Sequence, residues 1–447
     1  MLDRYKVFCV IFYGPLWILL LRGFIFEEFL PFLSVLNSPI VLLTDIVFLI
    51  LGLWALRSLR DILVFGSFMI IAFVSAYLNS QPTGEFLNGF REFIGLLFAL
   101  PIIRRVLRSH YAERFVEGTD RQLRFFLYIQ AVCLIWQFLR YGPGDHGGGS
   151  MGFGASGITS SFIYILCFYF INKKWDDSLG YFQNLMANKE YLLLLLPTFT
   201  NETKASFVFF LFFFVLLMHI DRKFVIRLIL ASPLFLAGVA GVIALYVFLT
   251  PGGQAIYKDN EFLIEYIVGQ DLDELVTVAI AVQEEQVETD NLWSMDIPRV
   301  GKLLLVPDAL HTTKGGMAWG AGIGQFKGGQ MVAKTPFARK FNYMLQGTVP
   351  LLFFMVIQLG IIGSVWMILN FATTYYYRRS TFGRLRNISW YLWMVTLLVF
   401  FYNDQFRLSQ VCFMFFYVAA VGLQPAMART ENEKDEKTSL PPTTAEA

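Results

Sequence analysis

Apolar runs of membrane-spanning length recur along the chain, separated mostly by short polar connections. A bilayer core takes roughly 20 apolar residues per helix, fewer where the ends snorkel. On that basis the pattern predicts about twelve spans, near 5–22, 39–56, 62–78, 92–107, 123–140, 157–172, 188–200, 204–220, 225–250, 348–373, 387–403 and 407–424. The seventh, YLLLLLPTFT, is short and holds Pro197, which marks it as a kinked or half-buried span. The first, VFCVIFYGPLWILLL, is followed by no small-residue cleavage site and reads as a retained helix rather than a signal peptide. The fold class expected is therefore an all-α polytopic membrane protein. Its parts are nine spans in 1–250, a long loop at 251–347, three spans in 348–424, and a polar, Pro/Thr-rich tail at 425–447 expected to be disordered.

Lys and Arg give the orientation. With the N-terminus in the cytoplasm, every short connection assigned to the inside carries at least two basic residues, and 104–124 carries six. The short outside connections carry one each. The alternation holds through all the predicted spans, so both termini are placed in the cytoplasm and 251–347 outside.

Composition narrows the class further. The chain is 56% hydrophobic and 16% charged, against roughly a quarter charged in a soluble domain. That excludes a soluble globular enzyme and a nucleic-acid-binding domain. The cysteines Cys9, Cys133, Cys167 and Cys412 all stand in apolar runs without metal-ligand spacing and read as small core residues. No cofactor and no metal are expected. The DLDE run at 271–274 contains an Asp-x-Asp, but it belongs to an acidic, helically spaced stretch and reads as a solvated face.

The 97-residue loop 251–347 is the exception to short connections, and a loop of that length is usually functional. Its charges are segregated. Residues 251–298 hold eleven acids and one base, and 299–347 hold seven bases and one acid. Elsewhere on the outer side the cations are few: Arg91 opens the fourth span, Arg140 closes the fifth, Lys204 stands between the seventh and eighth, and Arg407 opens the twelfth. Each could snorkel independently to the head groups. Four cations at one depth, with Arg299 and Lys314 in the basic half of the loop, instead suggest an anion site suited to a lipid-linked pyrophosphate. His311, one of four histidines, is the best candidate base, although a loop histidine is by default only solvated. The glycine-rich connector 142–157, which includes His146, reads as flexible or as an acceptor-side loop near Arg140.

Three short segments carry a family resemblance. TNETKAS, at the junction of spans seven and eight, resembles the Thr-x-x-Ser-Arg-Gly-Ala signature of the O-antigen ligase and Wzy-type O-antigen polymerase superfamily, with Thr200, Thr203, Lys204 and Ala205 in the matching positions. Lys204 stands where the family has the arginine that binds the donor pyrophosphate, which keeps the charge and loses the bidentate fork. MAWGAGIGQF resembles the family's Gly-x-Gly-x-Gly-x-Phe segment through Gly320, Gly322, Gly324 and Phe326. Alternate glycines there let backbone N–H groups approach a sugar or phosphate. In the tenth span Gln358, Gly360 and Gly363 resemble the element ending Glu-x-Gly-x-x-Gly. Family ligases carry a His eleven residues before the first of these glycines; here that position is Val349, which favours polymerase over ligase.

The resemblance implies a fold similar to the GT-C type of membrane glycosyltransferase. It implies polymerisation of undecaprenyl-pyrophosphate-linked repeat units of O-antigen, capsule or exopolysaccharide, on the periplasmic face of the bacterial inner membrane. The reaction would be inverting and metal-independent. Its partners would be the lipid-linked glycan donor and acceptor, the bilayer and a chain-length regulator protein. Ligation of glycan to lipid A core is the alternative within the family. A lipid-linked oligosaccharide flippase or transporter is the alternative outside it, although the predicted spans are nearly free of charge at their centres.

Overall fold

The computed structural model describes residues 4–142, 147–200, 204–217, 299–326, 335–345, 349–375 and 383–422. Their regular structure is helical throughout: α1 (Arg4–Phe24), α2 (Asn37–Ala55), α3 (Leu59–Leu78), α4 (Thr83–Phe90), α5 (Ile94–Leu107), α6 (Ala112–Tyr141), α7 (Ser156–Lys174), α8 (Tyr181–Ala187), α9 (Lys189–Leu195), α10 (Lys204–Leu217), α11 (Arg299–His311), α12 (Gly316–Trp319), α13 (Pro336–Phe341), α14 (Leu351–Tyr375), α15 (Gly383–Tyr402) and α16 (Ser409–Gly422). Among the described residues six helical stretches are long and apolar enough to cross a membrane: Tyr5–Phe29, Pro31–Ala55, Leu59–Leu78, Thr83–Leu107, Ala112–Tyr141 and Leu351–Tyr375. Three shorter apolar helices lie at Val208–Leu217, Asn387–Tyr402 and Ser409–Val421. The predicted ninth span, 225–250, and the acidic half of the loop, 251–298, lie outside the described residues. The predicted seventh span is α9 followed by a 3-10 turn, Leu196–Thr200, with Pro197 at the change of geometry.

Helix α5 is the axis of the fold. Almost every residue from Ile94 to Arg104 is buried, between α2 on one side and α16 on the other. Helices in apolar surroundings gain nothing from hydrophobic burial against one another, so close van der Waals approach has to hold them. Gly95 provides it, since a Cβ there would lie 2.5 Å from Ser409 Cα. A second layer, α7 with α9, α10 and α15, packs through aromatic pairs such as Phe168 on Tyr391, with ring centroids 4.1 Å apart.

Buried charges join helix ends. Ser58 caps α3 by accepting from Asp61 N at 3.1 Å, and Asp61 accepts from Arg104 Nη1 near the end of α5, also at 3.1 Å. Asp120 of α6 accepts from Tyr417 (2.7 Å), Tyr169 (3.1 Å) and Lys173, so one carboxylate ties α6, α7 and α16 together.

Candidate functional site

At the end of the bundle opposite the Asp61–Arg104 pair, α14 is interrupted. Gly360 has φ +67° and ψ −168°, a conformation that essentially only glycine adopts. The break releases the carbonyls of Ile357 and Gln358 from the helix. They accept instead from Ala321 N (2.8 Å) and Gly322 N (2.9 Å). Gln358 Oε1 accepts from Gly324 N at 3.2 Å. Polar side chains at the end of α3 close the other side. Ser75 Oγ faces Trp319 O at 2.5 Å, Asn79 Nδ2 donates to Gly320 O at 2.9 Å, and Gln81 donates to Ile323 O.

This corrects the expected role of the glycines. The segment 320–326 does lie against the tenth predicted span, but the N–H groups of Gly320, Ala321, Gly322 and Gly324 all donate within the protein and are not free for a ligand. Gly320, Gly322 and Gly324 have φ of +73°, +106° and +84°, and a Cβ on Gly324 would meet Glu85 O at 2.2 Å. They are required for a tight backbone knot. Phe326 is buried edge-on against Phe337, with centroids 5.0 Å apart.

The expected cations separate into two groups. Arg91 Nε donates to Asp45 at 3.0 Å, and the next residue, Glu92, turns inward and accepts from Arg407 Nη2 at 2.6 Å. Arg407 also donates to Asp404 and lies over the ring of Phe354, 3.6 Å from its centroid. Arg91 and Arg407 thus belong to one cluster. Arg140 stands in another, donating to Glu28 at 2.8 Å beside Tyr141, whose hydroxyl also reaches Glu28 at 3.1 Å. Arg22, at the end of α1, donates to Asn37 Oδ1 at the start of α2. Of the four cations expected to share one site, Arg91, Arg140 and Arg407 each have a carboxylate partner. A desolvated guanidinium needs such a counter-ion. Sequence reading passed over Glu28 and Glu92, although Glu92 is next to Arg91.

Polar, neutral residues beside the cations, which sequence reading gave no individual role, complete this end of the bundle. Asn403 and Gln405 are buried, and with Arg407 they occupy alternate positions between α15 and α16. Among the described residues Asn403 Nδ2, Gln405 Nε2 and Arg407 Nε have no hydrogen-bond acceptor. Ser161 Oγ of α7 donates to Gln405 Oε1 at 2.6 Å, and the adjacent Ser160 Oγ is 2.8 Å from Ser206 Oγ of α10. Ser206 is in the first turn of α10, which begins at Lys204. Neighbouring serines of α7 thus contact the first turn of α10 and Gln405 respectively. The side chains of Lys204 and Arg299 lie outside the described residues, as do His146 and the run 271–274.

The described part of the long loop forms a small second core. Leu305, Val306, Ala309 and Leu310 of α11 pack with Phe326, Phe341 and Tyr343 on Phe353, Phe354 and Ile357 of α14. Burial, with Asp308 adding to it, pushes the Tyr343 phenol up to about 12. Arg299 begins α11, and His311 ends it and is exposed. Phe354 is the link to the cluster, because Arg407 rests on its ring.

The class defined by this architecture is an all-helical protein of membrane type. No protein-family model matches the chain, and no curated protein matches it.

Proposed function

We propose that this protein polymerises undecaprenyl-pyrophosphate-linked oligosaccharide repeat units at the periplasmic face of a bacterial inner membrane. In this reading it has about twelve spans, a GT-C-like arrangement and both termini in the cytoplasm. The observation that carries the proposal is the row of buried donor atoms Asn403 Nδ2, Gln405 Nε2 and Arg407 Nε, without acceptors among the described residues, in which Gln405 is held by Ser161, next to the serine that contacts Ser206 in the first turn of α10. Phosphate oxygens only accept hydrogen bonds, and charge-assisted donors hold them best. The helix N-terminus adds the positive end of its dipole.

The chemistry follows from that placement. A sugar hydroxyl of the incoming repeat unit attacks the anomeric carbon of the growing chain from the face opposite the pyrophosphate. The bond to the pyrophosphate oxygen breaks, its electron pair leaves with the lipid diphosphate, and the configuration inverts. Arg407 and Lys204 neutralise charge that develops on the leaving group. The hydroxyl proton passes to a base, for which His311 is the candidate, and a positioned base contributes ~10²–10⁴-fold. The donor and acceptor glycans, a chain-length regulator protein and the bilayer are the partners of this reading.

The break in α14 speaks against the transporter alternative. Transporter sites lie near the bilayer midplane between half-helices. Here the break lies against Ser75, one turn from the end of α3, and residues 321–322 close its carbonyls. The absent histidine at Val349 speaks against the ligase. The deciding experiment is the glycan phenotype of a deletion strain. Lipid A core bearing single repeat units supports the polymerase. Unsubstituted core with long lipid-linked chains would replace it with the ligase, and loss of all outward-facing lipid-linked repeat units would replace it with the flippase.

A further inference from the structure

We infer that the groove between the middle of α6 and the end of α7 binds the head group of an anionic phospholipid of the bilayer. The groove, about 400 Å³, is lined by Arg121, Arg124, Phe125, Tyr128, Lys174 and Glu190. Its position relative to the membrane can be read from the helices themselves. Arg124 is the last charged residue of α6 before fifteen uncharged ones, 125–139, and Lys174 is the last residue of α7. The cations therefore stand where both helices leave their apolar stretches, at head-group depth.

Charge selects the ligand. Lys174 already holds Glu190, at 2.7 Å, and neighbouring Asp120 is saturated by Lys173, Tyr169 and Tyr417. Among the described residues neither Arg121 nor Arg124 is in an ion pair; Arg124 only rests over the ring of Phe170, at 5.7 Å, within the longer-range field of Glu190. Two guanidiniums one turn apart thus remain for a phosphate, which they can grip with several charge-assisted hydrogen bonds.

A free phosphate would need nothing more, but the groove continues into an apolar face. Phe125 and Tyr128 are 59% and 46% exposed, and below them on the same face of α6 Val132, Ile135 and Leu139 are exposed at 67%, 49% and 77%. Spacings of three and four residues make this one continuous stripe along the helix. A phosphodiester at Arg121 and Arg124 would lay its acyl chains along that stripe. The occupant that fits both halves is a lipid. This inference needs only the membrane-type helices and is independent of the catalytic proposal.

The test is a thermal melt of the full-length protein purified in a neutral detergent. Phosphatidylglycerol should raise the melting temperature, whereas phosphatidylcholine and the soluble head-group analogue glycerol 3-phosphate should not. The double variant Arg121→Gln/Arg124→Gln should melt normally without lipid and show an apparent phosphatidylglycerol affinity weakened roughly 30-fold. A control at exposed cations outside the groove, Arg108→Gln/Arg114→Gln, should keep the wild-type response. An equal loss in the control would mean a diffuse basic surface and overturn the site. An equal response to glycerol 3-phosphate would overturn the lipid assignment. Photo-crosslinking with a phosphatidylglycerol that carries the reactive group near its head should label 121–128 even if the double variant cannot be purified. Labelling confined to other segments would overturn the inference.

Discussion

Glu92 and Arg407 are 315 positions apart in sequence, and their side chains meet at 2.6 Å. The contact joins the start of α5 to the turn before α16, and it leaves only Nε of the Arg407 guanidinium without an acceptor among the described residues. Arg407→Ala is expected to reduce glycan chain extension by ~10²–10³-fold, as loss of a donor aimed at developing charge does. Arg407→Lys should not restore it, because Lys lacks the planar fork that reaches two carboxylates and lies on Phe354. Polymerisation assayed with lipid-linked repeat units in membranes measures both. A wild-type rate in the Lys variant would reduce Arg407 to a simple charge.

Lys204→Ala is expected to abolish chain extension while leaving insertion and expression level intact, since the residue opens α10 and is not part of its apolar body. Lys204→Arg is expected to match or exceed the wild type, because a guanidinium offers phosphate two parallel donors. Glycan length on a gel reports the outcome, and a normal ladder from the Ala variant removes Lys204 from the mechanism.

The break in α14 should be intolerant of any side chain. Gly360→Ala would place a Cβ 2.1 Å from Ala318 O, and the backbone conformation alone costs roughly 1–3 kcal/mol in a residue with a Cβ. The control is Gly66→Ala in α3, where a Cβ meets nothing within 4 Å and helix propensity favours alanine by about 1 kcal/mol. Melting in detergent should fall for the first and hold or rise for the second.

Asp61 and Arg104 test the other end of the bundle. Removing either partner strands a buried charge and should cost about 3–5 kcal/mol, whereas replacing both by apolar residues should recover much of the loss. A double-mutant cycle on melting temperature measures the coupling. Additive losses would mean that the pair is solvated.

Sidedness is open to direct labelling. With 104–124 in the cytoplasm and 251–347 in the periplasm, an impermeant thiol reagent should modify a cysteine introduced at Ser294 but not one at Ser109. The opposite pattern would remove the proposed function together with its topology.

Hydropathy revealed the long helices because a span advertises itself locally, by twenty or so consecutive residues with no charge. α3 and α14 were legible on that account, and α2 and α6 despite Asp45 in the one and an uncharged run of only fifteen residues in the other. What holds the ends together was not. Asp45 pairs with Arg91 and Glu28 with Arg140 across separations of 46 and 112 positions, and no local pattern encodes such partners. The glycines at 320, 322 and 324 were found, but their purpose was misread. A glycine chosen so that backbone can reach a ligand and one chosen so that backbone can reach backbone leave the same mark in a sequence. Asn403, Gln405, Ser160 and Ser161 gave only a weak signal, since neutral polar residues at a span end are ordinary until their side chains are seen to meet.

The interruption at Gly360 makes the first nine residues of α14 a separate rigid rod, jointed to the rest of the helix at one point. That rod carries Phe353, in contact with Phe326 of the loop, and next to it Phe354, on which Arg407 rests. Phe354 lies six residues from the joint, about 9 Å along the rod. A substitution that changed the angle at the joint by about 10° would therefore displace the ring by about 1.6 Å relative to the guanidinium. The placement of Arg407 thus depends, through Phe354, on the backbone geometry that Gly360 sets.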